Sequence, residues 1–257
     1  MHTIGQITVG ELLRRMTNDG LKSRIGKLNS AQNVGLHDTD GRTLGEGTEK
    51  RLSFSERYQN LVPLIGYGVK NLCNLPDLLA SGDVHRVLLV DNGSTDGSVL
   101  AARRVFPDLD VLELDRNVGY AAGINAGVVH ALAAGAESTL LVNNDTIARP
   151  GLVRCLSDAA RTPSVGLAAP TVYYHDDPSR VWPSAGWRRK STLAAFDTTA
   201  DPPGEDPYDV DWATGCCLLV RRAVWDELGG FDERFRFYFE DHDLCLRAKA
   251  AGWRILH

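Results

Sequence analysis

The sequence predicts an α/β fold: a mainly parallel sheet with helices on both faces. Two observations lead there. From Leu61 onward, apolar runs of strand length alternate with helical stretches, the signature of strand–helix–strand units. Three of those runs end in short polar residues: Asp91, Asp115, and the group Asn143, Asn144, Asp145. Right-handed crossovers gather such strand ends on one edge of a sheet, where ligands of open α/β sheets bind.

Each element follows from its own residues. "LVPLIGY" is an apolar run in which Pro63 marks an edge strand or a strand start. "NLPDLLASG" reads as a short helix closed by Gly82. "RVLLV" (86–90) is a strand, and "DGSVLAARRVF" (96–106) a helix that Ser94, Thr95 or Asp96 can cap. "DVLEL" (110–114) is a strand, then "AAGINAGVVHALAAG" (121–135) a helix with small residues on its packed side. "STLLV" (138–142) is a strand, "GLVRCLSDAAR" (151–161) a helix, and "VGLAAPTVYY" (165–174) a strand again. The Pro-, Asp- and Trp-rich stretch from "WPSAGW" to "YDVDW" reads as a long surface connection. "WATGCCLLVRR" is apolar and precedes the helix "AVWDELGG". In "FYFEDHDLCLRAKAAGW", Glu240, Asp241 and Asp243 stand at the entrance of a helix whose Leu244, Ala248 and Ala251 keep a 3, 4 rhythm, with Gly252 closing it. Acids suit a first helical turn, but three directly after "FYF" exceed what a cap needs.

Residues 1–60 differ from the rest: polar, glycine-rich and without a lasting apolar period. They are read as a polar extension that buries too little to order itself, ahead of one domain over residues 61–257. With 257 residues there is enough chain for a substantial core. The formal net charge of −5 supplies no basic footprint for nucleic acid. No apolar run reaches the roughly 18 residues of a membrane helix, and Met1 to Gly20 lacks the apolar core of a signal peptide. Five cysteines, an odd count with an adjacent pair, form neither a metal-ligand spacing nor a disulfide framework. Reduced thiols in the cytoplasm are the expectation.

The polar constellation is rich in carboxylates and lacks a nucleophile. Ser94 and Ser98 have no evident His partner, and no nucleophile elbow, dinucleotide fingerprint or phosphate-loop lysine is present. A nucleotide held by acids fits what remains. A hard divalent cation would join its phosphates to Asp145, and Asp241 is available as a separate general base.

The motifs "VDNGSTDGS", "RNVGYAAGINAG", "LVNNDT", "TGCCLLVRR", "GGFDERF" and "FEDHDLCLRAKAAGW" together resemble the family 2 glycosyltransferases of the GT-A fold. The likeness is greatest to rhamnosyltransferase-type bacterial members of cell-wall and surface-polysaccharide pathways. It covers residues 61 to 257 in the family's order. The resemblance implies an inverting transfer of a sugar from a nucleoside-diphosphate donor, UDP- or dTDP-linked, to a saccharide or lipid-linked hydroxyl acceptor. Asp91 matches the acid that accepts a hydrogen bond from the nucleobase, while Tyr67, Asn117, Gly119, Asn144 and Gly215 match segments lining the donor pocket. Asp145 matches the acid that binds Mg2+ or Mn2+ on the diphosphate. Asp241 matches the catalytic base, with Glu240 and Asp243 on the acceptor side. The resemblance also implies a cytoplasmic location, with peripheral contact at the inner membrane.

Two departures stand out. The family's opening strand ends Thr-Tyr-Asn, whereas Tyr67 here sits between Gly66 and Gly68. The family also continues past this chain's end to a His that completes the metal shell; His257 comes too early to be it and reads as a structural residue. An incomplete C-terminus is therefore expected. Two alternatives remain open at this point: a nucleotide-sugar-binding protein without turnover, and a sugar nucleotidyltransferase, although the latter's Gly-rich basic phosphate loop is absent.

Overall fold

The computed structural model describes residues 61–66, 86–188, 196–198, 204, 206–235 and 238–257. The readings made for residues 1–60, for Tyr67 and for the "NLPDLLASG" helix lie outside them.

A seven-stranded sheet forms the centre. Its members are β1 (Leu61–Gly66), β2 (Leu88–Asp91), β3 (Asp110–Glu113), β4 (Ser138–Asn143), β5 (Val165–Ala168), β11 (Cys217–Arg221) and β12 (Arg254–Leu256), in the order β12-β5-β11-β4-β1-β2-β3. The sheet is mixed rather than simply parallel: β11 runs antiparallel to both β4 and β5, while the other neighbours pair in parallel. The reason lies in the connection. β11 arrives from a long excursion after β5 rather than through a helical crossover, so nothing obliges it to run with its neighbours.

Pro63 does not mark an edge. β1 is interior, paired with β4 along its length and with β2 from Leu64 onward. Pro63 pairs only with Leu140, before the β2 register begins, so the strand tolerates a missing N–H there.

Alternating side chains feed two cores, one on each face. Leu88, Val90, Leu141, Leu218 and Val220 pack with helices α2 (Tyr120–Ala133), α4 (Arg222–Leu228) and α5 (Glu240–Ala250). Leu89, Leu140, Val142, Cys217 and Leu219 pack with α1 (Ser98–Val105) and α3 (Leu152–Ala159). That is the strand period of two at work. The N-cap of α1 is Gly97, without a side-chain cap, rather than Ser94, Thr95 or Asp96; the Asp96 carboxylate, one residue earlier, accepts the Ser98 N–H at 3.1 Å. On α5 the buried apolar members are Leu244, Cys245 and Ala248; Ala251 is exposed instead.

The stretch read as a surface connection contributes strands of its own. β8 (Ala185–Arg188) pairs antiparallel with β9 (Phe196–Thr198) and β10 (Trp212–Ala213). The apolar run 165–174 breaks after Ala168, with β6 (Val172–Tyr173) leaving the main sheet to pair with β7 (Val181–Trp182). Ser184, Ala185, Val210 and Trp212 are buried there, so the Pro- and Asp-rich composition concealed a set of inward-facing residues. His257 follows β12 and is held structurally, its Nδ1 2.8 Å from the Tyr208 hydroxyl and its Nε2 3.2 Å from Ser184 Oγ.

Candidate active site

Parallel β2, β3 and β4 bring Asp91, Glu113 and Asn143 to one edge. The loop after β2 is pressed onto the loop after β3. Gly93 has φ +75°, and a Cβ there would lie 2.6 Å from the carbonyl carbon of Arg116 and 2.8 Å from the Asn117 nitrogen. Asn92, which the sequence reading passed over, ties the same loops together. Its amide donates to Gly119 O at 2.9 Å and accepts from Val118 N–H at 2.9 Å. Asn117 is exposed, and its Oδ1 accepts the Gly119 N–H at 3.0 Å, shaping the entry to α2. Asp91 is only 3% exposed, and its two oxygens accept the Ser94 N–H at 3.3 and 3.2 Å. It therefore opens a turn, whatever else it binds.

The end of β4 carries the second group. Asn143 ends the strand, Asn144 is half-buried and Asp145 is exposed at the rim. Thr146 fastens this turn through its hydroxyl, which donates to Asn143 O at 2.7 Å.

Opposite stands the entrance of α5. Asp241 Oδ1 accepts both the His242 backbone N–H (2.8 Å) and the His242 ring Nδ1–H (2.9 Å). Oδ2 accepts the Gly215 N–H at 2.8 Å. Burial pushes this carboxyl up, but the hydrogen bonds from His242 and Gly215 prevail and hold it below its ordinary range. Asp241 is thus ionised at neutral pH, and Oδ2 keeps a lone pair for another donor. The His242 ring is held by stacking on Trp212, with centroids 4.4 Å apart.

Glu240 differs from its neighbour. It is 6% exposed, and its Oε2 has no hydrogen-bond partner among the described residues. Burial raises its pKa, and the charge of Asp241 adds to the effect. Asp243 is engaged elsewhere: its Oδ2 accepts from Arg247 Nε at 2.7 Å, and Arg247 also donates to the carbonyls of Leu228 and Gly230. Its contacts join α5 to the end of α4.

Tyr120, absent from the sequence reading, lies between the two groups. Its hydroxyl is 3.2 Å from Asn143 Oδ1 and 3.2 Å from Gly215 O. A Cβ on Gly215 would lie 3.4 Å from that hydroxyl and 3.5 Å from Asp241 Cβ, so the chain passes closely here. In sequence, Tyr120 looks like one more apolar residue of a helix face. Cys216 lies beside it, and burial pushes its thiol up to about 12, so it stays neutral. A thiolate nucleophile at this position is thereby disfavoured.

Among the described residues, no three His, Cys, Asp or Glu side chains gather as a metal cage. Asp145, alone and exposed beside two asparagines, fits a hard cation that takes one carboxylate and completes its shell with phosphate oxygens and water.

A family model described as "Glycosyltransferase like family 2" matches residues 75–257. The chain belongs to that family. This family 2 glycosyltransferase is 34% identical over 193 residues to the N-acetylglucosaminyl-diphospho-decaprenol L-rhamnosyltransferase of Mycobacterium tuberculosis strain H37Rv, an alignment covering 65% of this chain and 62% of that protein. It spans, then, about three-fifths of that relative's length. Among solved structures it resembles the Pyrobaculum calidifontis mannosyltransferase PcManGT in complex with GDP-Man and Mn2+ (TM-score 0.53, 18% identity, covering 76% of this chain and 53% of that one). It also resembles GalNAc-T7 with UDP, GalNAc and Mn2+ (TM-score 0.60, 12% identity, covering 81% and 43%). At those identities the likeness shows the GT-A fold, an α/β architecture of mixed-strand sheets and flanking helices.

Proposed function

We propose that the protein transfers a sugar, rhamnose foremost, from a UDP- or dTDP-linked donor to a hydroxyl of a saccharide or lipid-linked acceptor, with inversion, in cell-wall or surface-polysaccharide synthesis. One observation carries the reading. An ionised carboxylate with a spare lone pair, Asp241 Oδ2, lies within one hydrogen-bonded network of the β4 turn that bears Asp145.

Asp241 accepts the proton of the acceptor hydroxyl as that oxygen attacks the anomeric carbon from the face opposite the diphosphate. His242 and the Gly215 N–H hold the carboxylate in place. The proton lands on Oδ2, because Oδ1 already accepts two N–H groups. Asp91 holds the nucleobase N–H, with Asn117, Gly119 and Asn144 lining the donor side and Tyr67 completing it. Asp145 would hold Mg2+ or Mn2+ with the diphosphate; bound there, the ion supplies Lewis-acid stabilisation of the leaving charge. Glu240 and Asp243 border the acceptor side. Residues 61–257 act as the transferase unit, with residues 1–60 as an extension to it. No helix among the described residues is long and apolar enough to cross a membrane, and a cytoplasmic protein touching the inner membrane peripherally is the location that suits a lipid-linked acceptor.

The test is a turnover assay with dTDP-rhamnose and UDP-sugars against lipid-diphosphate saccharide acceptors, run with Asp241→Asn beside the parent. Asp241→Asn keeps donor affinity within a few-fold and lowers turnover by about 10²–10⁴. An Asn variant as active as the parent refutes the assignment.

A further inference from the structure

The two halves of the site reach it on separate elements. Asn143 and Asp145 come from β4 and its turn; Gly215 and Asp241 come from the β10–β11 turn and from α5. An in-line displacement needs both sides in register, and misplacement by about 1 Å can cost about a hundredfold in rate. Something must set their relative position.

We propose that Tyr120 is the positioning residue that does so, its single hydroxyl fastened on one side to Asn143 and on the other to the Gly215 carbonyl. Four observations support it. The hydroxyl is 3.2 Å from Asn143 Oδ1 and 3.2 Å from Gly215 O. The same Gly215 residue donates its N–H to Asp241 Oδ2 at 2.8 Å, so the tyrosine and the proposed base hold the two ends of one glycine. The neighbouring Asn143 N–H donates to Cys216 O at 2.8 Å, so the hydroxyl adds a second tie beside a backbone one. The ring is immobilised as the first residue of α2, tilted against Phe231 at 6.3 Å and buried with the core.

The chemistry of the group suits the task. Burial, and then the nearby charges with Asp241 foremost, keeps the hydroxyl protonated far above its ordinary range. A phenol has one proton to give, and both Asn143 Oδ1 and Gly215 O lie within its reach. The bond to Gly215 O fixes the position of the residue whose own N–H serves Asp241, so it holds that N–H in place by geometry. Tyr120 thus acts on the base by holding the Gly215 backbone and touches no reacting atom. Phenylalanine would fill the same space and lose both ties.

Two variants of the full chain test the proposal, read by the backbone amide spectrum at neutral pH. In Tyr120→Phe the Gly215 amide proton moves upfield and exchanges faster, because its bond to Asp241 weakens. In Asn143→Ala the hydroxyl keeps its hold on Gly215 O, and the same resonance stays or moves downfield. A Gly215 amide unchanged in Tyr120→Phe, or shifted upfield in both variants, overturns the proposal. Should the Phe variant unfold, an upfield shift in Asn143→Ala alone overturns it. A kinetic arm rests on the transferase reading: Tyr120→Phe lowers kcat by about 10- to 100-fold and leaves donor KM within a few-fold. A role in folding alone would lower the melting point and the active fraction, and kcat per folded molecule would then equal the parent's. The amide readout needs no turnover. A chain that moves no sugar yet shows the shifts refutes the proposed function and keeps the tyrosine's role, while transfer with an unmoved Gly215 amide does the reverse.

Discussion

Asp241 and Glu240 are adjacent, share one helical turn and face opposite electrostatic fates. Three N–H groups serve Asp241 and hold its pKa down; Glu240 is buried with one oxygen unserved, and its pKa is raised. The sign for stability follows from linkage. A carboxyl with a raised folded pKa lends stability below its unfolded value and loses it as pH rises through the folded value. Glu240→Gln removes that loss. Its melting temperature should exceed the parent's at neutral pH, and the gain should vanish as pH falls into the ordinary carboxylate range. Melting curves across that range check it; a gain constant with pH would mean that charge burial is not the cause. The Asp241 contribution runs the other way: present above its unfolded pKa and lost only as pH falls through a lower folded one. Asp145 offers a contrast, exposed and, among the described residues, outside any cluster of three acids. Asp145→Ala should weaken nucleoside-diphosphate binding and abolish most of its response to Mn2+ in a calorimetric titration, with the fold intact.

The loops matter more than the strands that carry them. Gly93 and Gly97 share a left-handed backbone, φ +75° and +77°, but their surroundings differ: a Cβ at Gly93 would strike the Arg116–Asn117 backbone, and one at Gly97 meets nothing within 4 Å. Both alanine variants carry the cost of the strained conformation, about 1–3 kcal/mol. Only Gly93→Ala also pushes the β3 loop away, so it alone should weaken nucleotide binding as well. Denaturant melts paired with a nucleotide titration separate the two effects. Equal loss of binding in both would show that the loop contact does not shape the donor side.

Two cores on opposite faces of one sheet hold the molecule together. Leu140 and Leu141 are neighbours on β4, both fully buried, one facing α1 and α3 and the other facing α2, α4 and α5. Leu140→Ala and Leu141→Ala should each cost about 2–5 kcal/mol in denaturant unfolding. A cost near zero for either would mean that its face is loosely packed. The strand runs, the small-residue helix and the acids at strand ends were legible in the sequence because each depends on local period and local turn chemistry. Asp91, Asn143, Asp145 and the α5 acids were singled out that way, and the ordered motifs pointed to the family. The antiparallel course of β11, the interior place of β1 despite Pro63, and the small sheet in the Pro-rich stretch were not legible, because strand pairing is settled between segments far apart. Nor were Asn92, Tyr120 and His242. A tyrosine on an apolar helix face looks the same in sequence whether or not its hydroxyl finds a partner. Only the fold, bringing residue 120 against residues 143 and 215, decides that it does.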